Sequence, residues 1–151
     1  MGADLDGIGL QSPSFFVWAV RDAFTAPLQR VQIIKGFVDP NGNPQEQVFD
    51  VACSDGGMPD ADTYRCPDNN AKVDISSCAF SQDVGAAELK TFWTDPTFEV
   101  TQRAFYYVRA LENPTCRWST WDALRNNVKP RSDITKTIQE RVWSSPIHYI
   151  P

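Results

Sequence analysis

The residue types that could perform chemistry are few in this sequence, and they do not cluster. His148 is the only histidine among the 151 residues, so any Ser-His-Asp or Cys-His site would have to use it as its general base. It lies in the apolar run PIHYI, which is typical of a strand. Gly-rich phosphate loops and the motifs G-x-S-x-G and H-E-x-x-H do not occur. We therefore expect His148 to be a strand histidine whose polar groups are satisfied, and the chain to hold no catalytic residue, metal ligand or cofactor site.

Acidic and amide side chains crowd one polar, turn-rich segment, residues 54–78. Carboxylate and amide oxygens at short intervals are the ligands that Ca²⁺ prefers, but the spacing here does not match the EF-hand loop. We expect a solvated loop without a tight metal site, and a Ca²⁺ site is the alternative. The side chains concerned are Asp55, Asp60, Asp62, Asp68, Asn69, Asn70 and Asp74.

The four cysteines are Cys53, Cys66, Cys78 and Cys116, and none of them forms a C-x-x-C pair. With a single histidine in the chain, this spacing disfavours zinc. An even number with wide gaps predicts two disulfides and an oxidising compartment, with four reduced, buried cysteines as the alternative. More than one pairing is open. We expect Cys66–Cys78 across the acidic loop and Cys53–Cys116 at its base, because a local bridge and a strand-end bridge would hold a loop of unusual length.

Three tryptophans are candidates for ligand stacking. Trp118 and Trp121 belong to the segment W-S-T-W, and on a helix their spacing places them on one face. Large aromatic side chains on one face of a short helix usually seal the end of a core. The alternative is that they stack on sugar rings together with Trp143. An open row of the three would favour carbohydrate binding, whereas burial would favour a structural role.

Strand patterns and turn signals alternate along the chain. Residues 14–20, SFFVWAV, are apolar on both faces, which predicts a central strand. The turn sequence DPNGNP at residues 39–44 lies between two strand-like runs and predicts a β-hairpin. The other predicted strands are residues 30–38, 45–53, 87–93, 103–111, 138–143 and 146–150.

One short helix is predicted at residues 120–125, with Ser119 and Asp122 as a capping box. Residues 134–142 are a second helical candidate. Few helices and many short strands predict an all-β fold. We expect a single antiparallel β-sandwich of immunoglobulin-like architecture over residues 1–151, with one short helix and a long disulfide-held loop. The residues expected to be buried are Phe16, Trp18, Ile33, Val51, Tyr106 and Val108.

Composition excludes several classes of protein. The net charge is −5 and Lys and Arg form no run, whereas nucleic-acid binding depends on clustered positive charge. No apolar stretch reaches the roughly 18 residues of a membrane-spanning helix, so we expect no membrane insertion. The start, MGADLDGIGLQSPS, lacks the basic and apolar regions of a signal peptide. A cytosolic protein, a processed exported protein and a piece of a longer protein all fit this start.

Several segments together resemble the C-terminal end of the domain-of-unknown-function 3604 family. They include FFVWAVRD, EQVFDVACSDG, QRAFYYVRALENPTCRWSTWDALR and TIQERVWSSPIHYIP, and the resemblance covers nearly the whole chain. The resemblance implies a bacterial, exported protein several times longer than this chain. Its N-terminal part would resemble the PHP (polymerase and histidinol phosphatase) metal-dependent phosphoesterase barrel. No ligand of such a site carries over, because PHP-type sites use many histidines, and the family often has an aromatic residue in place of His148.

Three functions follow as hypotheses. The leading one is a non-catalytic accessory domain, a C-terminal fragment of a larger metal-dependent hydrolase, which contacts the N-terminal barrel of the same polypeptide in the periplasm or outside the cell. The second is a carbohydrate-binding module that uses exposed tryptophan and tyrosine. The third is a small stand-alone hydrolase. A broad exposed apolar face would favour the first, because such faces usually mark interfaces.

Overall fold

The part of the chain that the structure describes folds into two packed β-sheets, two short β-ribbons and one helix. The structure, a computed structural model, describes residues 2–6 and 11–151. In chain order, the elements of these residues are β1 Ala3–Asp6, β2 Ser14–Val20, β3 Leu28–Val38, β4 Pro44–Cys53, β5 Val73–Asp74, β6 Ala79–Phe80, β7 Glu88–Thr94, β8 Ala104–Glu112, β9 Thr115–Cys116, α1 Trp118–Arg125, β10 Thr137–Ile138, β11 Arg141–Trp143 and β12 Ile147–Ile150.

The larger sheet has the strand order β1-β12-β8-β3-β4, and β11 pairs with β8 beside β12. Its neighbours run antiparallel except β1 and β12, which are parallel. β3 is the central strand. Its alternate residues Val31 and Ile33 face the core, while Gln32 and Ile34 are buried on the opposite face. Burial on both faces explains why this strand is apolar over most of its length.

The smaller sheet consists of β2 and β7, and it covers one face of the larger sheet. Trp93 of β7 packs on Phe49 of β4 with ring centroids 5.0 Å apart, and Phe15 of β2 packs on Tyr106 of β8 at the same distance. β7 therefore lies over β3 and β4, and β2 lies over β8. The buried core between the sheets comprises Val17, Leu28, Val31, Ile33, Phe49, Val51, Leu89, Ala104, Tyr106, Ala110 and Tyr149.

The predicted all-β sandwich is confirmed, and so is the hairpin at residues 39–44. β3 and β4 pair from Val38 and Pro44 onwards. Asp39 fixes the turn, because its carboxylate accepts hydrogen bonds from the backbone nitrogens of Asn41 and Asn43. Gly42 has a φ of 84°, a left-handed conformation that glycine adopts without a steric penalty.

The prediction that residues 14–20 form a central strand is wrong. Among the described residues, β7 is the one neighbour of β2, so β2 is an edge strand. Phe16 and Trp18, which were expected in the core, are exposed. Both faces of β2 are apolar, and a period-two pattern alone does not reveal which face is covered. Ile33, Val51 and Tyr106 are buried as expected, and Val108 is half-buried.

The C-terminal third differs from the prediction at its helix. The helix starts earlier than expected, at Trp118, and its N-cap is Arg117 without a side-chain hydrogen bond. Ser119 is therefore inside the helix, and its hydroxyl has no partner among the described residues. The capping-box prediction is wrong for this reason. The helical alternative for residues 134–142 is also wrong, because this segment forms β10 and part of β11.

Two disulfides form, as predicted, but their pairing differs. The bonds are Cys53–Cys66 and Cys78–Cys116, not Cys66–Cys78 and Cys53–Cys116. The first half of the loop folds back along β4, where the Asp50 nitrogen donates to the carbonyl of residue 64. That path brings Cys66 to the end of β4. Cys78 lies in the turn that joins β5 to β6, directly before β6, and β6 contacts β9, which brings Cys78 to Cys116.

Candidate functional site

A group of neighbouring exposed apolar side chains lies on the outer side of the β2–β7 sheet. Phe16 and Phe92 face each other across the two strands, with ring centroids 4.8 Å apart and 55% and 80% of their surfaces exposed. Trp18 and Val20 continue the same side of β2 and are also exposed. We call these four residues the apolar face. Monomeric proteins rarely leave such contiguous apolar side chains in water without a partner.

Charged residues border the apolar face on β7. Trp18 lies opposite Lys90, and its indole nitrogen donates to the Glu88 carboxylate at 3.0 Å. The Lys90 ammonium also contacts Glu88 at 3.0 Å and lies 5.8 Å from the centre of the Trp18 ring. The hydrogen bond from Lys90, followed by that from Trp18, lowers the pKa of Glu88. These contacts orient the Trp18 ring, so this edge of the face is ordered although it is exposed.

A groove of about 450 Å³ runs beside β2, between that strand and β11. Val108 and Ala110 of β8 form its floor together with Val142 of β11. Val142 pairs with Ala110 and thus shares its face of the larger sheet. Its side chain is 64% exposed, because the β2–β7 sheet does not extend over β11. Glu112 and Glu140 line one end of the groove.

The three candidate stacking tryptophans are exposed but do not form a row. Trp118 is 74% exposed on α1, Trp121 follows one turn later, and the Arg125 guanidinium lies 5.4 Å from the Trp121 ring. Trp143 belongs to β11 and pairs with Arg109. Among the aromatic pairs of residues 2–6 and 11–151, none joins these rings. The expectation that the helix tryptophans seal the core is therefore wrong; Thr120 and Ala123 are the buried residues of α1.

His148 is exposed on β12, where it pairs with Phe105. The two rings lie 6.2 Å apart, and they border a shallow pocket with Gly36 and Glu46. A methyl group at Gly36 would overlap the Phe105 ring, so glycine lets the ring lie flat on β3. Within residues 2–6 and 11–151, no group of three or more His, Cys, Asp or Glu is placed to hold a metal ion. His148 thus lies on a strand, as predicted, and its side chain is exposed.

The carboxylates of the acidic loop bind their own backbone and hydroxyl groups. Asp60 accepts hydrogen bonds from the nitrogens of residues 62 and 63, and Asp68 from that of Asn70. The Asp74 carboxylate accepts hydrogen bonds from the hydroxyls of Ser76 and Ser77. These bonds, of which the one from Ser76 has the largest effect, lower the pKa of Asp74 to about 2. These carboxylates stabilise turns, which gives the acidic composition a structural role.

The base of the loop is tied to the sandwich by a polar cluster. The Asp55 carboxylate accepts hydrogen bonds from the Ser54 hydroxyl and from the Gly85 nitrogen, the latter at 2.9 Å. Both bonds lower the pKa of Asp55, and the bond from Ser54 has the larger effect. Gly85 has a φ of 101°, and a methyl group there would collide with Pro27. The buried Asn113 accepts from the Asn69 amide at 2.8 Å. Together, the two disulfides and this polar cluster hold residues 54–78, the long loop for which the sequence shows no strand or helix pattern.

The sequence analysis missed a buried ion pair at the end of the core. The Lys35 ammonium lies 2.7 Å from the Asp95 carboxylate, and both side chains are almost completely buried. The Tyr106 hydroxyl donates a hydrogen bond to the same carboxylate at 2.8 Å. The pKa of Tyr106 is raised, mainly by burial and secondly by this hydrogen bond. Lys35 also donates to the Thr97 carbonyl. A signal was present, since Lys35 has the same strand parity as the core residues Val31 and Ile33.

Fold and surface together define a class of protein: a disulfide-linked β-sandwich domain with an exposed apolar face. Residues 1–151 match the family described as protein of unknown function (DUF3604), and the chain belongs to that family. No curated protein and no solved structure is significantly similar to it. The helix of the described residues is too short and too polar to cross a membrane. Two disulfides are typical of proteins from oxidising compartments.

Proposed function

We propose that this chain is a non-catalytic accessory domain, which docks through its apolar face on another domain of a larger periplasmic or extracellular hydrolase. The observation that carries the proposal is the exposure of Phe16, Trp18, Val20 and Phe92 side by side on the β2–β7 sheet. A sheet is normally covered on its apolar side by another layer. Here the inner side of this sheet is covered by the chain itself, whereas the apolar side chains on its outer side have no covering layer among the described residues.

The partner that fits is the PHP-type barrel that the family resemblance implies. Barrels of this kind are surrounded by helices, and an apolar stripe on such helices would complete the missing layer. The charged rim formed by Glu88 and Lys90 supplies polar contacts around an apolar centre, which is the usual composition of an interface. The two disulfides fit export of the whole protein, because they persist in oxidising compartments.

The proposal is tested by titrating the chain with the separately produced N-terminal part of a full-length family member, using calorimetry. We expect binding, and we expect the double substitution Phe16→Ser and Phe92→Ser to weaken it by at least about a hundredfold, because two central aromatic contacts are removed. The matched control is Val128→Ser, an exposed apolar residue after α1, which should leave the affinity unchanged. Equal affinity of the double variant and the control would contradict the proposal.

Carbohydrate binding is a second candidate, and the exposure of Trp118 and Trp121 on one helix favours it. Two rings on one face of a helix offer a small stacking platform, and a nearby arginine, Arg125, could donate to sugar hydroxyls. Affinity electrophoresis through gels that contain xylan, β-glucan or chitin derivatives tests it. Retardation that is lost in Trp118→Ala and kept in Phe92→Ser would assign sugar binding to the helix. Equal mobility in all gels would leave docking as the function.

A further inference from the structure

We infer that the free edge of β2 binds one extended segment of a partner polypeptide, which adds to the β2–β7 sheet as a third strand. This binding mode, called β-augmentation, uses main-chain hydrogen bonds for affinity and pockets for alternate side chains for specificity. It goes beyond the docking of the apolar face, because it uses the backbone of β2 and the groove beside it. Four observations carry it: the direction of the backbone groups, the composition of β2, the shape of the groove and its charge.

The backbone of β2 has unused hydrogen-bonding groups on its free edge. The Arg21 nitrogen donates to the Ala87 carbonyl at 3.0 Å, and the Asp95 nitrogen donates to the Pro13 carbonyl at 3.1 Å. In an antiparallel pair, alternate residues direct both backbone groups to the same neighbour. The odd-numbered residues of β2 therefore bond to β7. The even-numbered residues, Phe16, Trp18 and Val20, direct their N–H and C=O groups away from β7, to the side where the described residues provide no strand.

The sequence of β2 is that of a strand with two neighbours. SFFVWAV contains no charged residue, no proline and no glycine over seven residues. Edge strands of stable monomers are usually interrupted by these residues, which prevent pairing with other chains. The other strand of the same sheet follows that rule, since β7 carries Glu88 and Lys90. The pattern that predicted a central strand at residues 14–20 therefore reflects a real property of β2. Its composition suits a strand with two neighbours, whereas the described residues provide only one.

The groove has the shape of a single missing strand. β7 lies over β3 and β4, and β2 lies over β8, so a strand added beside β2 would lie over β8 and β11. The exposed Val142, together with Val108 and Ala110, would then be covered by every second side chain of the added strand. A second copy of this chain does not fit the position. Because β2 lies over β8 and β11 lies beneath the added position, twofold pairing of two β2 strands would place β11 of each copy where β8 of the other copy lies.

The charge at one end of the groove indicates the chemistry of the partner. Glu112 and Glu140 line that end, and neither takes part in a salt bridge within residues 2–6 and 11–151. The Thr25 hydroxyl donates to the Glu112 carboxylate at 2.7 Å. Arg141 also lines the groove, and its guanidinium donates to the Gln139 carbonyl, so the lining carries two negative charges and one positive charge. The partner segment is therefore extended, with small apolar residues at alternate positions and a lysine or arginine at the end that meets the two glutamates.

The probe is a fluorescent peptide of about nine residues, the upper range of natural strands, in which valine and threonine alternate and one end carries two lysines. It is titrated into the 151-residue chain and two variants. Trp18→Pro removes the outward N–H of the central edge residue but no bond to β7, and Trp18→Ala removes the same side chain but keeps the N–H. We expect Trp18→Pro to bind the peptide at least about tenfold more weakly than Trp18→Ala, because both variants lack the indole ring and only the proline variant lacks the outward N–H.

Amide hydrogen exchange of the unsubstituted chain gives a second measurement, which does not depend on the folding of Trp18→Pro. The peptide should slow exchange at Phe16, Trp18 and Val20, whereas Val17 and Ala19 are protected with and without it. Equal peptide affinity of the two Trp18 variants would overturn the inference, as would unchanged exchange at the three edge amides. Slowed exchange with chitohexaose but not with the peptide would also overturn it, in favour of a carbohydrate groove. Phe92→Ser should retain peptide binding, which separates this inference from the docking of the apolar face.

Discussion

Phe16 and Phe92 pack ring against ring on the solvent side of the β2–β7 sheet, one from each strand. Full burial of a phenylalanine side chain stabilises a protein or a complex by roughly 1.5–3 kcal/mol. Without a partner, the two rings are stabilised only by their contact with each other, and the rest of their apolar surface stays in water. The relationship is therefore better explained by a partner that covers both rings than by the stability of the isolated domain, and it is the basis of the proposed docking function.

The ion pair of Lys35 and Asp95 should dominate the stability of this end of the core. Lys35→Met leaves the buried Asp95 carboxylate without its cation, and we expect the free energy of unfolding to fall by about 3–5 kcal/mol. The matched control is Lys90→Met, which removes an exposed pair with Glu88 at 3.0 Å and should lower the free energy of unfolding far less, because water screens exposed charges. Urea denaturation measures both. Similar losses in the two variants would show that burial of the Lys35 pair has no special role.

The two disulfides should stabilise the chain to different extents. They close loops with sequence separations of 13 and 38 residues, and restriction of the unfolded chain grows with loop length. We expect Cys53→Ser with Cys66→Ser to lower the free energy of unfolding by about 3 kcal/mol, and Cys78→Ser with Cys116→Ser by about 4 kcal/mol. Chemical denaturation of the two double variants tests the order. Peptide mapping without reductant tests the pairing itself, and a Cys66–Cys78 peptide would refute it.

Acid should weaken the acidic loop in a defined pH range. Hydrogen bonds, first from the Ser76 hydroxyl, lower the pKa of Asp74 from 3.8 to about 2 in the folded chain. Because the folded pKa lies below the unfolded one, the contribution of Asp74 is present above the unfolded pKa and is lost as the pH falls through about 2. We expect the denaturation midpoint to fall across this range, and to fall less in Asp74→Asn. Asp62→Asn is the control in the same loop and should keep the slope of the unsubstituted chain.

The domain alone should hydrolyse no phosphoester, with or without added Mn²⁺, Zn²⁺ or Mg²⁺. Metal-assisted hydrolysis needs ligands that fix an ion and leave one position open for water. His148 lies exposed on β12, and the acidic loop uses carboxylates such as Asp60 and Asp74 to stabilise turns. A panel of phosphoesters assayed before and after metal addition tests this prediction. Turnover that disappears in His148→Ala would contradict it and support a stand-alone enzyme.

Local signals in the sequence predicted the local structure well. The β3–β4 hairpin follows from the turn residues at 39–44, because Asp39 and Gly42 satisfy that turn without help from the rest of the chain. The inner face of β8 follows from strict alternation, as the burial of Tyr106 and Ala110 shows. Such features depend on neighbours in sequence, and a single sequence contains the information.

Features that depend on the path of the chain could not be predicted in this way. The pairing of Cys53 with Cys66 requires the loop to fold back along β4, which no local motif encodes. The exposure of Phe16 and Trp18 depends on which layer covers β2. Lys35 was overlooked as a core residue because its partner, Asp95, lies in a turn 60 residues further along the chain. In each case two distant segments decide the outcome, and their meeting is a property of the fold.

Site-specific photocrosslinking in a full-length family protein tests the docking function most directly. A benzoylphenylalanine replaces Phe92 in the apolar face, and a second protein carries it in place of Val128 as a control. We predict that illumination joins position 92 to a peptide of the N-terminal barrel, and that position 128 gives no such product. Crosslinks to the barrel that are equally weak at both positions would contradict the claim that this face is the docking surface.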